Sequence, residues 1–296
     1  MKYQRFFINV FIHFANIVPA QAAKSKGTLG KIKRNNERVV MSQENASGEY
    51  ILSVHDLVVS YPVKRFSTAR KQEKKVLDGV TFCMKDGEIL GLAGESGCGK
   101  TTIARAILHI VEPKSGTIDC KAEKVRMVFQ DPYSSLNPAK TVSWILQEPL
   151  KLNTQDDAKT RLRKVKDMVE QVGLEASVLD KKPSELSGGM RQRVCIGLAL
   201  MQNPQLLIAD EPVSALDVTI QAQILELLRE IQKKNHISII FISHDLRTMY
   251  HFCDRILIMR EGKIIEQGEP EVMYRNPKED YTKLLLESAD LRKSSS

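Results

Sequence analysis

The stretch that most constrains this chain is Gly94-Glu95-Ser96-Gly97-Cys98-Gly99-Lys100-Thr101, which satisfies G-x-x-x-x-G-K-[ST]. An apolar run, Glu88 to Ala93, leads into it, and a helical run, Thr102 to Ile110, leads out. Strand, glycine-rich turn and helix in that order let backbone N–H groups and a helix N-terminus wrap a phosphate chain. Lys100 is expected to reach the β and γ phosphates, and the Thr101 hydroxyl to ligate Mg²⁺. A glycine-rich turn that holds no nucleotide is the alternative, and this setting disfavours it.

From about Glu49 onward, short apolar runs alternate with longer helical periods, the pattern of an α/β fold with a mostly parallel core sheet. Strands are expected at 50–59, 88–93, 125–129, 205–210 and 237–243. An antiparallel portion is expected at the hairpin 255–267, where Ile256, Ile258, Ile264 and Ile265 flank the turn Glu261-Gly262. Between Asp217 and Asn235, Ile220, Ile224, Leu227, Leu228 and Ile231 recur on one helical face. The stretch 132–200 is rich in Lys, Gln and Glu, with helical runs at 141–152, 156–172 and 189–202, and reads as a helical subdomain inserted in the α/β core. Lys64 to Lys75 reads as a basic, solvated loop, and 270–296 as a C-terminal tail.

The formal net charge of +8 would suggest nucleic acid or an anionic membrane as partner if it were spread over the chain. Residues 1–40 hold eight basic residues against the single acid Glu37, a net +7, which leaves +1 for the rest. The body is therefore nearly neutral, and no nucleic acid partner is expected. The apolar stretch Phe6 to Val18, with Lys2 and Arg5 before it and Ala20-Gln21-Ala22 after it, resembles a signal peptide. It conflicts with a body that needs ATP, so residues 1–48 are expected to be a basic extension ahead of an ATPase domain at 49–296, with Met41 as the natural start. Five widely spaced cysteines without a CxxC pair indicate neither a disulfide framework nor a zinc site.

A second acidic signal follows the run Leu206 to Ala209, which ends in Asp210-Glu211. A buried strand rarely ends in adjacent acids unless something cationic compensates them. Asp210 is expected to orient Mg²⁺ through its water shell, and Glu211 to polarise the attacking water. Between the two motifs lies Leu186-Ser187-Gly188-Gly189-Met190-Arg191-Gln192-Arg193, and the chain here resembles the ATP-binding-cassette (ABC) ATPases. The likeness extends to Gln130 (the Q-loop), to Ser214-Ala215-Leu216-Asp217 (the D-loop), to His244 (the switch histidine) and to Tyr61, the aromatic that stacks on adenine. In family order these cover residues 50 to about 268.

The resemblance implies an ATPase with ATP and Mg²⁺ as cofactors. Glu211, His244 and Gln130 are its implied catalytic residues, and Thr101, Gln130 and Asp210 its metal-side groups. Tyr61, Gly94 to Thr101 and Thr102 would bind ATP. The signature Ser187, Gly188 and Gly189 would face the ATP of an opposing subunit, with Asp217 in the D-loop, so a monomer is expected to be nearly inactive. Met190 stands where the commonest signature has Gln, which bears on rate and asymmetry. Only 57 positions separate Gln130 from Ser187, too few for the coiled coil of a chromosome-maintenance ATPase. One P-loop argues against a two-cassette translation factor, and Glu211 with His244 argues against a non-catalytic regulator.

Within the family, Phe129-Gln130-Asp131-Pro132-Tyr133-Ser134-Ser135-Leu136-Asn137-Pro138 is similar to the ATPase subunits of oligopeptide, dipeptide and nickel importers. So are Glu211 to Val218 and the tail Asn276-Pro277 with Asp280-Tyr281-Thr282. This likeness implies peptide import, with a nickel or metal-chelate importer or a separate-chain peptide exporter as alternatives. The implied partners are a second, related ATPase subunit (a homodimer is the alternative), two membrane permeases and, indirectly, an extracellular solute-binding protein. The implied location is peripheral, on the cytoplasmic face of the membrane. No cysteine follows Cys253, so no iron-sulfur cluster is expected. Residues 131–150 are expected to form the groove for a permease. Cys98, near a helix N-terminus that lowers thiol pKa, is expected to be reactive, its alkylation blocking nucleotide binding and ATP protecting it.

Overall fold

The computed structural model describes residues 50–63 and 72–289. The expectations for 1–48, for 64–71 of the basic loop and for 290–296 of the tail lie outside them. In chain order the strands are β1 (Tyr50–Val63), β2 (Gln72–Lys85), β3 (Ile89–Gly94), β4 (Ser115–Cys120), β5 (Val125–Val128), β6 (Leu206–Asp210), β7 (Ser238–Ile242), β8 (Arg255–Arg260) and β9 (Lys263–Gly268). The helices are α1 (Lys100–Ile107), α2 (Pro132–Ser135), α3 (Val142–Asn153), α4 (Ala158–Gln171), α5 (Gly188–Leu200), α6 (Val218–Asn235), α7 (Leu246–Phe252), α8 (Pro270–Arg275) and α9 (Asp280–Ser288).

Strands β3, β6 and β7 bury every residue, as strands covered on both faces must. They belong to a six-stranded sheet in the order β5-β6-β7-β3-β8-β9. Every pairing in it is parallel except β8 with β9. That exception is the expected hairpin, and its turn places Glu261 and Gly262 at φ 48° and 79°, the two left-handed positions that a two-residue hairpin turn requires. The second sheet is antiparallel, in the order β2-β1-β4. The fold is thus the α/β architecture expected, with an antiparallel portion larger than the hairpin alone.

Two strands were not expected. Gln72 to Lys75, assigned to the solvated loop, begins β2, whose opening residues are polar or charged and whose pairing with β1 shifts register near Val54/Leu57. Such shifts break the apolar alternation by which a strand is recognised. β4 is mostly exposed and polar, an edge strand with almost no hydrophobic signal.

Among the described residues no strand lies between β5 and β6; that interval holds α2 to α5 and two short 3₁₀ segments, Ala176–Asp180 and Pro183–Glu185. On α3 the buried residues Val142, Ile145, Leu146, Pro149 and Leu150 follow helical spacing. Val142, Ile145, Leu146 and Leu150 join one apolar core with α5 and with Ile239 and Phe241 of the sheet. On α6, Ile224, Leu227, Leu228 and Ile231 are buried as the spacing predicts.

Candidate functional site

Strand order brings the motif residues together. β5, β6, β7 and β3 lie side by side and run the same way, so Gln130, Asp210-Glu211, His244 and Gly94 all emerge from one edge of the sheet. Asp210 pairs with Ile242 and Leu92 pairs with the same Ile242, so three strand ends lie in one row. At about 4.8 Å per strand, the phosphate-loop strand and the acid-bearing strand are roughly 10 Å apart, with the histidine strand between them.

Three side chains meet at the acid. The Gln130 Nε2 donates to Glu211 Oε2 at 2.8 Å, and His244 Nδ1 lies 3.4 Å from Glu211 Oε1. The Glu211 side chain is 17% exposed and that of His244 62%, so the carboxylate is recessed while the imidazole faces solvent. Glu211 sits at φ 47°, a left-handed conformation uncommon outside glycine, and its N–H donates to Ile242 O at 2.9 Å. The last ladder bond thus turns the carboxylate away from the strand direction, toward Gln130 and His244. Just after His244, Asp245 caps α7 by accepting from Arg247 N–H at 3.0 Å.

At the loop, Lys100 is buried, and its Nζ donates to Gly94 O at 2.7 Å and Glu95 O at 2.9 Å. Glu95, Ser96 and Gly97 are exposed, while Cys98 and Gly99 are buried. The first turn of α1 leaves N–H groups without intrahelical acceptors, so amides, an ammonium and the Thr101 hydroxyl converge, a donor set that fits a phosphate chain. Thr101 Oγ1 donates to Asp210 Oδ2 at 2.9 Å. Burial, above all, raises the Asp210 carboxyl from its ordinary value, and the Thr101 hydrogen bond opposes that. A hydroxyl and a carboxylate in contact are hard oxygen donors that suit Mg²⁺. Thr102, also buried, donates its N–H to Gly99 O at 3.0 Å.

Tyr61 is partly buried on β1 opposite Lys74 of β2, and its hydroxyl has no hydrogen-bond partner among the described residues. Lys74, Lys75 and Val76 line a cavity of about 660 Å³ against Glu95 to Cys98. Tyr61 lies outside that lining.

Ser187 caps α5 by accepting from Met190 N–H at 3.3 Å, and Ser187 and Gly188 are exposed. A Cβ on Gly189 would stand 2.7 Å from Ile220 Cγ2, and one on Gly188 3.3 Å from Leu216 Cδ2. The signature glycines therefore let α5 rest on the start of α6, directly beside the D-loop. Asp217 is the N-cap of α6, accepting from Ile220 N–H at 3.0 Å. That structural task was not legible in the family motif. Nor was Arg191, which is buried, donates from Nε to Pro183 O at 2.7 Å and lies 3.7 Å from the ring centroid of Tyr133.

Cys98 requires a correction. Cys98 is only 8% exposed, and burial raises its thiol pKa, outweighing the lowering effect of Lys100, so the helix N-terminus does not activate it. Iodoacetamide should label Cys98 slowly at about pH 7, the rate rising as alkaline pH generates thiolate, followed by peptide mass spectrometry. Rapid labelling at neutral pH would contradict this.

Residues 77–214 match the family described as ABC transporter. The chain is similar to a dipeptide transport ATP-binding protein of Haemophilus influenzae, 42% identical over 83% of this chain and 80% of the relative. It is 41% identical to an oligopeptide transport ATP-binding protein of Bacillus subtilis, over 82% of this chain and 79% of the relative. Among solved structures, cbiO1 of Clostridium perfringens, part of the ABC transporter complex cbiONQ, matches with a TM-score of 0.67 at 27% identity, over 82% of this chain and 96% of that one. A dimeric ATP-binding cassette in a post-hydrolysis state bound to ADP and Pi shares the fold, with a TM-score of 0.66 at 24% identity over 74% of this chain and 98% of that one.

Proposed function

This chain belongs to the ABC transporter family, in the group of dipeptide and oligopeptide transport ATP-binding proteins, and from that premise we propose that it hydrolyses ATP to drive peptide import through partner permeases. The observation that carries this reading is the meeting of Gln130, Glu211 and His244 at one sheet edge beside the phosphate loop.

In this reading Gly94 to Thr101, with Thr102, hold the phosphates by backbone N–H groups, the Lys100 ammonium leaves its two carbonyls for the β and γ phosphates, and Tyr61 stacks on adenine. Glu211 orients the attacking water and takes its proton, while His244 holds the γ-phosphate and Glu211 in line. Gln130 reports nucleotide state from that carboxylate to the helical subdomain, about 132–200. Thr101, Gln130 and Asp210 would hold Mg²⁺, which when bound neutralises charge developing on the phosphate oxygens. Ser187 and Gly188, exposed at the N-terminus of a 13-residue helix, and the half-buried Gly189 would face ATP held by a second cassette, with Asp217 beside them.

The implied partners are a second ABC ATPase subunit, two permeases and, indirectly, a solute-binding protein. The protein would sit peripherally at the cytoplasmic membrane face. Among the described residues no helix is long and apolar enough to cross a membrane. The Tyr133–Arg191 stack supports residues 131–150 as the permease groove, because it ties that segment to the signature helix. The ATPase domain is taken as 49–296, with a tail from about 270.

The test is co-expression with the permeases and second ATPase subunit of a peptide importer, reconstitution in vesicles, and ATP hydrolysis and uptake measured with di- to pentapeptides and with a nickel chelate. Peptide-stimulated hydrolysis with inward transport is expected. Stimulation by the chelate alone, or outward transport only, would overturn the peptide-import assignment.

A further inference from the structure

The helix α9 lies far from every catalytic motif in sequence, yet it reaches the phosphate loop. The hydroxyl of Tyr281 accepts the N–H of Glu95 at 3.2 Å, across 186 residues of chain. Tyr281 is 7% exposed, and the Arg260 guanidinium lies 4.9 Å from its ring centroid. The start of the helix is anchored as well: buried Glu266 on β9 accepts the N–H groups of Lys278 at 2.9 Å and Glu279 at 3.1 Å. Beyond its far end, Ala289 O accepts from Arg247 Nε on α7, the helix that follows His244. Leu285 and Ser288 line both the cavity of about 660 Å³ beside the loop and one of about 450 Å³ at His244 and Ser214.

The main chain at Glu95 is held on both its N–H and its carbonyl. Its carbonyl accepts Cys98 N–H at 3.3 Å and Lys100 Nζ at 2.9 Å, while its N–H points the other way, onto Tyr281. The β8–β9 turn adds a second support, since Gly262 N–H donates to Cys98 O at 3.0 Å. If Lys100 moves onto a phosphate, the carbonyl side of Glu95 loses its strongest donor. The Tyr281 hydroxyl remains.

We propose that Tyr281 is a positioning residue for ATP binding, and that α9 is a strap fixing the phosphate loop relative to the helix behind His244. The proposal rests on the reading of Gly94 to Thr101 as the ATP site. It also gives a physical task to the tail motif Asp280-Tyr281-Thr282, which the catalytic reading leaves unused. The hydroxyl matters through one hydrogen bond, whereas the ring also packs and holds Arg260. Tyr281→Phe separates the two.

ATP affinity is measured on the full chain by displacement of a fluorescent ATP analogue, with thermal unfolding recorded without nucleotide and kcat and KM taken on the reconstituted transporter. Tyr281→Phe should weaken ATP binding and raise KM about three- to tenfold, with kcat within about twofold and the nucleotide-free midpoint unchanged. Lys100→Ala serves as the control for the site itself. If Lys100→Ala loses ATP while Tyr281→Phe binds as tightly as the parent, the strap is wrong and the ATP site stands. If Lys100→Ala binds ATP normally, the site reading fails and the strap with it. A lowered nucleotide-free midpoint with unchanged affinity makes Tyr281 a core residue only and overturns the proposal.

Discussion

Glu211→Gln should lower steady-state ATP hydrolysis by about 10²- to 10⁴-fold while leaving ATP binding intact. The substitution keeps length, planarity and the left-handed backbone at φ 47°, and its amide oxygen still accepts from Gln130, which donates to the native carboxylate at 2.8 Å. What it removes is the anionic oxygen that faces His244 Nδ1 at 3.4 Å and that would take a proton from water. In the proposed site, binding depends on the loop after β3, two strands away. Substrate should therefore accumulate on the enzyme, and a closed pair of cassettes should be trapped. Phosphate release measures the first effect and size-exclusion chromatography with ATP the second. Glu211→Asp sharpens the test, because it keeps the charge but retracts it by about one carbon–carbon bond, roughly 1.5 Å, too far to hold both Gln130 and His244. Hydrolysis by Glu211→Gln at the parent rate would remove Glu211 from the mechanism.

The site is a property of strand order before it is a property of residues. Gln130, Asp210, His244 and Gly94 are spread over more than a hundred positions, yet each ends or follows one of four neighbouring parallel strands. Parallel strands put all their C-terminal ends on the same side, so one polar group after each is enough to build a phosphate-facing edge. The signature lies on another structure, α5, and meets the D-loop through Gly188 against Leu216 and the start of α6 through Gly189 against Ile220. A displacement of α5 would thus be felt at Ser214 to Asp217, and the Arg191–Tyr133 stack carries the same helix toward the segment after the Q-loop. If residues 131–150 form the proposed permease groove, these contacts would give nucleotide state and permease contact a short physical route to one another.

What could be read from residues alone follows from how strongly each element marks itself. β3, β6 and β7 are continuous apolar runs buried on both faces, and they were legible. β4 was not, because an exposed edge strand carries no hydrophobic pattern, and β2 was not, because Gly79 at φ 75° and a register shift interrupt its alternation. The motif residues could be named in order, but the geometry that unites them depends on strand order, which spacing does not encode. Cys98 shows the limit of local reasoning: a helix N-terminus is visible in sequence, whereas the burial that outweighs it is tertiary. Tyr281 shows the same limit over a longer range, since no local pattern announces a hydrogen bond across 186 residues.

The largest stability effect should come from Gly94→Ala, and the comparison with Gly97→Ala shows why. Both glycines have positive φ, 142° and 82°, so an alanine at either carries a conformational cost of about 1–2 kcal/mol. Only Gly94 is also closed in. A Cβ there would lie 2.3 Å from Met259 O and 3.0 Å from Cys98 Sγ, whereas around Gly97 nothing lies within 4 Å. Met259 cannot retreat cheaply, because it is fully buried on β8 and paired in register with Gly94 itself. Overpacking against fixed backbone adds about 1–3 kcal/mol, which brings Gly94→Ala to roughly 2–5 kcal/mol. Urea unfolding without nucleotide should therefore show a much larger loss for Gly94→Ala than for Gly97→Ala, whose cost stays near 1–2 kcal/mol. ATP affinity should collapse in Gly94→Ala as well, because the loop leaves its strand at this residue and every later N–H is displaced with it. Equal destabilisation by the two substitutions would mean that backbone conformation alone sets the cost, and that the contact with β8 does not hold the loop.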